Sequence, residues 1–142
     1  MLPLRLVLDT NIVVSAALKP ESLQRTTLIL ALTSPARLYV STAILAEYRE
    51  VLSRVELNIR KGTRLQLLQL IRNRSHLVNP AFRLEVCTET DDNCFLEAAD
   101  RAGADYLITG NQRHFPTFWK KTKIITSRDF IALAAPHLLG NG

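Results

Sequence analysis

The sequence predicts an α/β protein, a three-layer α/β/α sandwich around a parallel sheet of about five strands. Short apolar runs that contain β-branched residues alternate along the chain with stretches of helical periodicity. A helical segment separates most of the predicted strands, as parallel strands require. The length of 142 residues suits one domain, and no repeat or Gly/Ser linker interrupts it, so we expect residues 1–142 to form a single domain.

The first half of the chain is expected to contain two strands and four helices. The first strand stops at Asp9, the start of a polar turn, and Pro20 separates the first two helices. Ser41 is a suitable N-cap for the third helix. The predicted strands span residues 4–8 and 38–40, and the predicted helices span residues 12–18, 22–33, 42–54 and 62–74.

The second half continues the alternation. We expect Thr90 to cap a helix that Gly103 ends, since glycine accepts the left-handed conformation that follows many helices. Residues 110–118 are predicted to be a loop with at most a turn of helix. The predicted strands span residues 76–78, 105–109 and 123–126, and the predicted helices span residues 91–102 and 127–135.

The net charge of +5 hides a strong segregation along the chain. Residues 48–83 carry +6, residues 84–111 carry −6, and the segments 1–47 and 112–142 carry +1 and +4. A basic balance permits a nucleic-acid partner without establishing one. An acidic block between basic segments suits a protein that concentrates carboxylates at a metal ion while its basic flanks contact a polyanion.

Composition also excludes several classes of protein. The longest apolar runs, such as residues 28–32, are far shorter than the roughly 20 residues of a membrane-spanning helix. The N-terminus lacks the features of a secretory signal, so we expect a cytoplasmic protein. Cys87 and Cys94 do not have the paired spacing of a zinc site and are expected to be reduced and structural.

Asp9 is the first candidate for a functional acid. It directly follows a predicted strand, and in parallel sheets the functional groove lies beyond the carboxyl ends of the strands. Asp9, Thr10 and Asn11 are also good residues for capping the next helix, so the triplet taken alone leaves both interpretations open.

Two further acids are placed by helical rotation. Glu47 borders the buried face of its predicted helix, whereas Glu50 lies further out. Asp92 shares a helix face with Phe95, Leu96 and Ala99, which turns its carboxylate inward. A buried carboxylate at a helix start gains from the free amides there but still needs a cation or a donor. Capping remains the alternative role for Asp92.

The three acids together predict a chemistry. Carboxylates brought together from separate elements repel one another and raise their pKa values unless a divalent cation neutralises them. Oxygen ligands without histidine or thiolate favour Mg²⁺ or Mn²⁺. One or two such ions can activate a water molecule, orient a phosphodiester and stabilise its leaving oxygen. The set therefore favours metal-assisted phosphodiester hydrolysis.

These motifs resemble a known family. The sequence is similar to single-domain PIN proteins, the fold of the VapC-type toxins of bacterial and archaeal toxin–antitoxin pairs. The resemblance covers nearly the whole chain, in family order. The matching pieces are Leu-Asp-Thr-Asn at 8–11, Leu-Ala-Glu-Tyr at 45–48, Asp-Asp-Asn-Cys-Phe-Leu-Glu-Ala-Ala at 91–99, Gly-Ala-Asp-Tyr-Leu-Ile-Thr-Gly-Asn at 103–111 and His-Phe at 114–115.

The resemblance implies a ribonuclease that depends on Mg²⁺ or Mn²⁺, with a cognate antitoxin protein that blocks its groove and a homodimer as the common assembly. It places the family's first three acids on Asp9, Glu47 and Asp92, as metal ligands and catalytic residues. The fourth acid position falls on Asn111, which removes one negative charge and bears on whether one ion or two are held. Asp91 is an auxiliary candidate ligand.

Other residues are assigned supporting roles by the same resemblance. Thr10, Asn11 and Thr109 are expected to orient the acids or water. His114 is interpreted as a packed or surface loop histidine rather than a general base, since the carboxylate–metal scheme needs none. The candidates for contacting RNA are Arg49, Arg54, Arg60, Lys61, Arg113, Lys120, Lys121 and Lys123.

Two alternatives stay open. A PIN-like module that has lost turnover and binds RNA or a protein is suggested by Asn111. A phosphoacceptor receiver domain shares the alternating pattern and an acidic strand end. The receiver is disfavoured because it needs a lysine after its last strand, whereas Lys123 precedes Ile124 and Ile125.

Overall fold

The computed structural model describes residues 3–140 and contains one six-stranded sheet covered by helices, which confirms the predicted α/β/α class. The strands are β1 (Arg5–Leu8), β2 (Arg37–Val40), β3 (His76–Leu77), β4 (Tyr106–Ile108), β5 (Phe118–Trp119) and β6 (Thr122–Ile125). The helices are α1 (Thr10–Leu18), α2 (Leu23–Ala31), α3 (Thr42–Leu52), α4 (Lys61–Arg74), α5 (Asn93–Ala102) and α6 (Ser127–Ala134).

The strand order is β3-β2-β1-β4-β6-β5, and the first five strands of this order run parallel. The expectation of about five parallel strands is therefore correct, with one addition. β5 is a two-residue antiparallel strand beside β6, in a segment that the sequence predicted as mostly loop. Two residues are too few to show an alternating pattern, so this strand has no sequence signal.

The centre of the sheet forms the core. Leu6, Val7 and Leu8 of β1 are fully buried, because strands on both sides and helices above and below leave no solvated face. β1 is therefore continuously apolar rather than alternating. This burial fixes the position at which its carboxyl end delivers the next residue, Asp9.

The start of α5 differs from its prediction. Residues 90–92 form a 3-10 turn, so Thr90 does not cap the helix; Asp92 occupies the N-cap position but makes no side-chain capping hydrogen bond. Its carboxylate is instead directed to His114 across the groove. The predicted end is correct, since Gly103 follows the helix with φ of 60°.

α4 is covered less than its leucine periodicity suggests. Ile71 is its one fully buried residue, whereas Leu65 is 51% exposed and Leu70 is 39% exposed. Helical spacing identifies a face but does not say whether anything covers it. Among residues 3–140, no helix has the length and apolar character that crossing a bilayer requires.

Candidate active site

The candidate site lies at the carboxyl ends of the two central strands. Asp9 follows β1, and Thr109 follows β4, the neighbouring strand. The backbone amide of Asp9 donates to the Ile108 carbonyl at 3.0 Å, which continues the strand pairing up to this residue. The prediction that Asp9 stands at the sheet edge where parallel strands present their functional residues is therefore met by its position.

Both oxygens of the Asp9 carboxylate accept hydrogen bonds. The Thr10 amide donates to Oδ1 at 2.7 Å, and the Thr109 hydroxyl donates to Oδ2 at 2.6 Å. Asp9 is 5% exposed, so these contacts replace water. Asp9 thus caps α1, as one of the two interpretations of the sequence has it, and the same bonds hold its carboxylate in a fixed position. The Thr10 hydroxyl is buried without a partner among the described residues.

Thr109 and Asn11 connect the loop after β4 to the start of α1. The Thr109 hydroxyl accepts from the Asn111 amide at 2.9 Å while it donates to Asp9. The Asn11 side-chain oxygen accepts from the Gly110 amide at 3.2 Å. Asn111 itself is exposed, and its side chain makes no hydrogen bond to another described residue. These bonds fix the backbone around the first acid.

α3 supplies Glu47 at the border of its buried face, where the residue is half-buried. The next residue, Tyr48, is fully buried, and its hydroxyl donates to the Leu8 carbonyl at 2.5 Å. Burial raises the pKa of Tyr48 well above its ordinary value, so the phenol stays protonated as a donor. This long-range bond has no signal in the sequence, because Tyr48 occupies an ordinary apolar position of the helix pattern.

Asp92 stands at the start of α5 with its side chain 16% exposed. The Nδ1 atom of His114 lies 3.2 Å from its Oδ2 atom. His114 ends a 3-10 turn over residues 112–114, and its position in a half-buried loop agrees with the interpretation from sequence. The contact with Asp92 was not predicted. The two residues are 22 apart in the sequence and lie on irregular segments, so no periodic pattern relates them.

The acids are electrostatically coupled. The pKa of Asp92 is raised to about 6, chiefly by burial and then by the charge of Asp9, while His114 opposes the shift. Burial also raises the pKa of Asp9, against the hydrogen bonds from Thr109 and Thr10. The pKa of Glu47 is raised by burial, then by the charges of Asp91 and other acids. The charge of Asp9 thus acts on Asp92, and the charge of Asp92 acts on Glu47.

The two cysteines lie in the same electrostatic environment. Burial and then the charge of Asp92 raise the pKa of Cys87 to about 12, and burial and then Glu47 raise that of Cys94. Both are free thiols, as expected. The Cys94 thiol donates to the Asp91 carbonyl at 3.3 Å. A raised pKa keeps both thiols neutral, which gives them a structural character.

The donor set suits a hard divalent cation. The three acids offer carboxylate oxygens, burial raises the pKa of each, and the nearby Thr10 hydroxyl has no partner among the described residues. As the side chains stand within residues 3–140, no three His, Cys, Asp or Glu groups converge closely enough to enclose an ion. The residues thus match a divalent cation in chemistry and charge, without forming a closed ligand cage.

The basic candidates for RNA contact fall into two groups. Lys120 and Lys121 lie just before β6, at the amino edge of the sheet and away from the acids, and pair with Asp100 and Asp105 at 2.6 and 3.7 Å. Lys123, near the start of β6, is exposed at the same end. The exposed remainder lies on or near α3, α4 and the 3-10 turn after β4, with one of them paired to Glu50: Arg49, Arg54, Arg60, Lys61 and Arg113.

Comparison with known proteins agrees with this fold. A chain in the crystal structure of VapBC2 from Rickettsia felis, bound to a DNA fragment from its promoter, superposes with a TM-score of 0.59 at 18% identity, over 86% of this chain and 98% of that chain. No curated protein is significantly similar in sequence. Residues 5–113 match the model of the PIN domain family, a span that includes every acid of the candidate site. The chain therefore belongs to the PIN domain family, as its motifs predict.

Proposed function

We propose that this protein is a metal-dependent endoribonuclease that hydrolyses RNA phosphodiesters and acts as the toxin of a toxin–antitoxin pair. PIN domains are generally nucleases, which fixes the broad class of reaction. The observation that carries the proposal is the burial of three carboxylates, Asp9, Glu47 and Asp92, that come from separate elements. Burial raises the pKa of each, the charge of Asp9 adds to the shift of Asp92, and acids that include Asp92 add to the shift of Glu47.

Asp9, Glu47 and Asp92 would hold the divalent cation, Mg²⁺ or Mn²⁺, with Asp91 and Asn111 as the further candidates. When bound, the cation neutralises the carboxylates, polarises the scissile phosphate and promotes ionisation of water. Thr109 and the Thr10 amide keep the Asp9 carboxylate oriented. With an amide at Asn111 in place of a fourth acid, the site favours one tightly held ion over two.

Partners follow from the same family. The VapBC2 structure, whose fold this chain shares, is bound to promoter DNA. We propose a cognate antitoxin as the partner of this chain, with a homodimer as its assembly and the cytoplasm as its location. The exposed basic residues on α3 and α4, among them Arg49 and Lys61, are the proposed contacts for RNA.

A cleavage assay tests the proposal. The protein is incubated with structured and unstructured RNA in Mg²⁺, in Mn²⁺ and in EDTA, and the same assay is run on Glu47→Gln and Asp92→Asn. We expect cleavage only with the cation and almost none in either variant. Glu50→Gln is the matched control, because Glu50 is exposed on the same helix and pairs with Arg54. Undiminished cleavage in EDTA or in both variants would contradict the mechanism.

A second function, an RNA- or protein-binding module without turnover, is favoured by two observations. Asn111 removes one acid, and no three candidate ligands converge among residues 3–140. Calorimetric titration with Mn²⁺ and with RNA separates the two functions. RNA affinity without Mn²⁺ binding or cleavage identifies a binding module, whereas Mn²⁺ binding that is lost in Asp92→Asn supports the nuclease.

A further inference from the structure

A cavity lies at the amino edge of the sheet, away from the acids. It has a volume of about 720 Å³ and opens beside the starts of β1 and β2 and the end of α4. Small-molecule sites in proteins commonly measure about 300–1,000 Å³. The cavity is therefore large enough for a ligand of nucleotide size.

Its lining is basic. Arg5, Arg37, Arg74 and His76 contribute to its walls, and no aspartate or glutamate of residues 3–140 does. Arg5 and Arg37 are direct partners in the register of β1 and β2, so their Cα atoms lie about 5 Å apart and their side chains share one face of the sheet. Tyr39 and His76 continue that face, since they are partners in the pairing of β2 with β3.

The guanidinium groups of the cavity arginines form no ion pair with a described acid, although the Asp105 carboxylate accepts from the Arg5 backbone amide at 2.8 Å. The four ion pairs among residues 3–140 include none of Arg5, Arg37 and Arg74. Arg5 is held in place by other contacts: its Nη1 atom donates to the Ala102 carbonyl at 2.9 Å, and its guanidinium lies 5.9 Å from the centre of the Tyr39 ring. Arg37 and Arg74 make no side-chain hydrogen bond to another described residue.

In the other half of the same edge, the basic side chains are neutralised by acids. Beside β4 and β6, Lys120 and Lys121 each pair with an aspartate, Asp100 and Asp105. Asp105 also reaches the start of β1 through the Arg5 backbone amide, but no acid among residues 3–140 pairs with the side chains of Arg5, Arg37 or Arg74. Guanidinium groups placed side by side repel one another unless an anion lies between them, and their planar donors match the oxygens of a phosphate.

We infer that this cavity binds a phosphate group, carried either by a free nucleotide or by an RNA strand. Arg37 and Arg74 donate to the phosphate oxygens, and Arg5 adds its charge from a fixed position. Apolar walls from Leu32 and Pro35 accommodate the remainder of the ligand. The inference is independent of the proposed nuclease function, because it involves none of the acids.

Calorimetric titration of the whole protein in metal-free, low-salt buffer tests the site, with inorganic phosphate, AMP, adenosine and a short single-stranded RNA as the probes. The variants are Arg37→Gln and Arg74→Gln. Arg72→Gln is the matched control, since Arg72 is in the same turn of α4 but does not line the cavity. Removing one charge-assisted contact should weaken phosphate binding about tenfold, and Arg72→Gln should leave it unchanged.

The outcomes separate the two sources of phosphate. AMP binding that depends on Arg37 and Arg74 identifies a free nucleotide, and dependence seen only with RNA identifies the phosphates of a strand. Binding of adenosine as tight as that of AMP, equal losses in Arg72→Gln and Arg37→Gln, or no binding of any probe at millimolar concentration would overturn the inference. RNA cleavage is measured separately, and we expect Arg37→Gln to retain it at saturating RNA.

Discussion

The two edges of the sheet carry opposite charges, which are partly or fully buried at the carboxyl edge and exposed at the amino edge. The carboxyl edge holds Asp9, Glu47 and Asp92, which are at least partly buried and whose pKa values burial raises. The amino edge beside β1 and β2 holds Arg5 and Arg37, whose exposed guanidinium groups form no ion pair among residues 3–140. The strand that separates Arg5 from Asp9 advances only about 13 Å, four residues at about 3.3 Å each.

Because of this difference, the two edges are expected to bind ligands of opposite charge and with different strength. Buried carboxylates are unstable as a group of charges, so the carboxyl edge gains free energy from a cation. Exposed guanidinium groups keep much of their hydration, so the amino edge gains less from an anion and binds it more weakly. The carboxyl edge therefore suits a resident cofactor, and the amino edge suits a ligand that exchanges.

The largest expected effect is on the rate of RNA cleavage, which should depend on the carboxyl edge and not on the amino edge. Asp9→Asn should reduce RNA cleavage more than about 100-fold, because even an outer partner of a metal ligand typically contributes about 10–100-fold. Arg37→Gln should reduce the maximal rate little. Initial rates with saturating RNA and Mg²⁺ measure both. If Arg37→Gln abolished the maximal rate and Asp9→Asn did not, the assignment of chemistry to the carboxyl edge would be wrong.

Thr109→Val is expected to have the next largest effect. It removes the donor to the buried Asp9 carboxylate and the acceptor for the Asn111 amide. We expect about 1–3 kcal/mol of lost stability from the unsatisfied groups, measured by urea unfolding. Cleavage should fall about 10–100-fold, as for other partners that orient a metal ligand. Thr109→Ser keeps the hydroxyl and should restore most of both properties; failure of that rescue would point to packing instead.

Tyr48→Phe isolates a single hydrogen bond at the carboxyl edge. The phenol donates to the Leu8 carbonyl, and both groups are buried. Removing the hydroxyl should cost about 1–2 kcal/mol, because the carbonyl is left without this donor. Urea unfolding measures the loss. Tyr39→Phe is a useful comparison, because Tyr39 lies beside Arg5 at the amino edge and its hydroxyl makes no hydrogen bond among the described residues. Removing that hydroxyl should therefore cost little stability.

The smallest expected effect is a pH dependence that the arginine edge should not share. The pKa of Asp92 is about 6 in the folded protein against an ordinary 3.8, so between these pH values the folded carboxyl keeps a proton that the unfolded chain releases. Its contribution to stability is complete below about pH 4 and is lost as the pH rises through about 6.

Asp92→Asn should therefore match the wild type near pH 4 and exceed it by about 1 kcal/mol near pH 8 without metal, less than the full shift because solvent screens the group. Unfolding in urea at the two pH values measures the difference. Arg37→Gln is the control, since an arginine keeps its charge throughout this range. An equal change at both pH values would show that the substitution acts through packing.

Much of the carboxyl edge was predictable. The apolar run before Asp9 is interrupted by polar residues, which marks a strand end, and helical rotation alone turned Asp92 toward Phe95 and Leu96, both of which are buried. The family motif at residues 8–11 then pointed to Asp9 as the first candidate acid. These features are local, and short-range periodicity or sequence motifs encode them directly.

The remainder depends on contacts between distant segments. The approach of His114 to Asp92 and the bond from Tyr48 to Leu8 join residues on different elements, and no spacing rule connects them. The amino-edge cavity is of the same kind, because Arg5, Arg37 and Arg74 are brought together only by strand register and by the end of α4. Helical periodicity likewise did not show that Leu65 would remain exposed.

The hydrogen bond between Tyr48 and Leu8 has a consequence for the spacing of the acids. Glu47 immediately precedes the donor residue and Asp9 immediately follows the acceptor residue, so each acid is covalently adjacent to one end of the same bond. The buried hydrogen bond thus fixes the distance between α3 and β1 at this point. Folding therefore sets the separation of the Glu47 and Asp9 backbones, so a cation that binds between them would not have to bring them together.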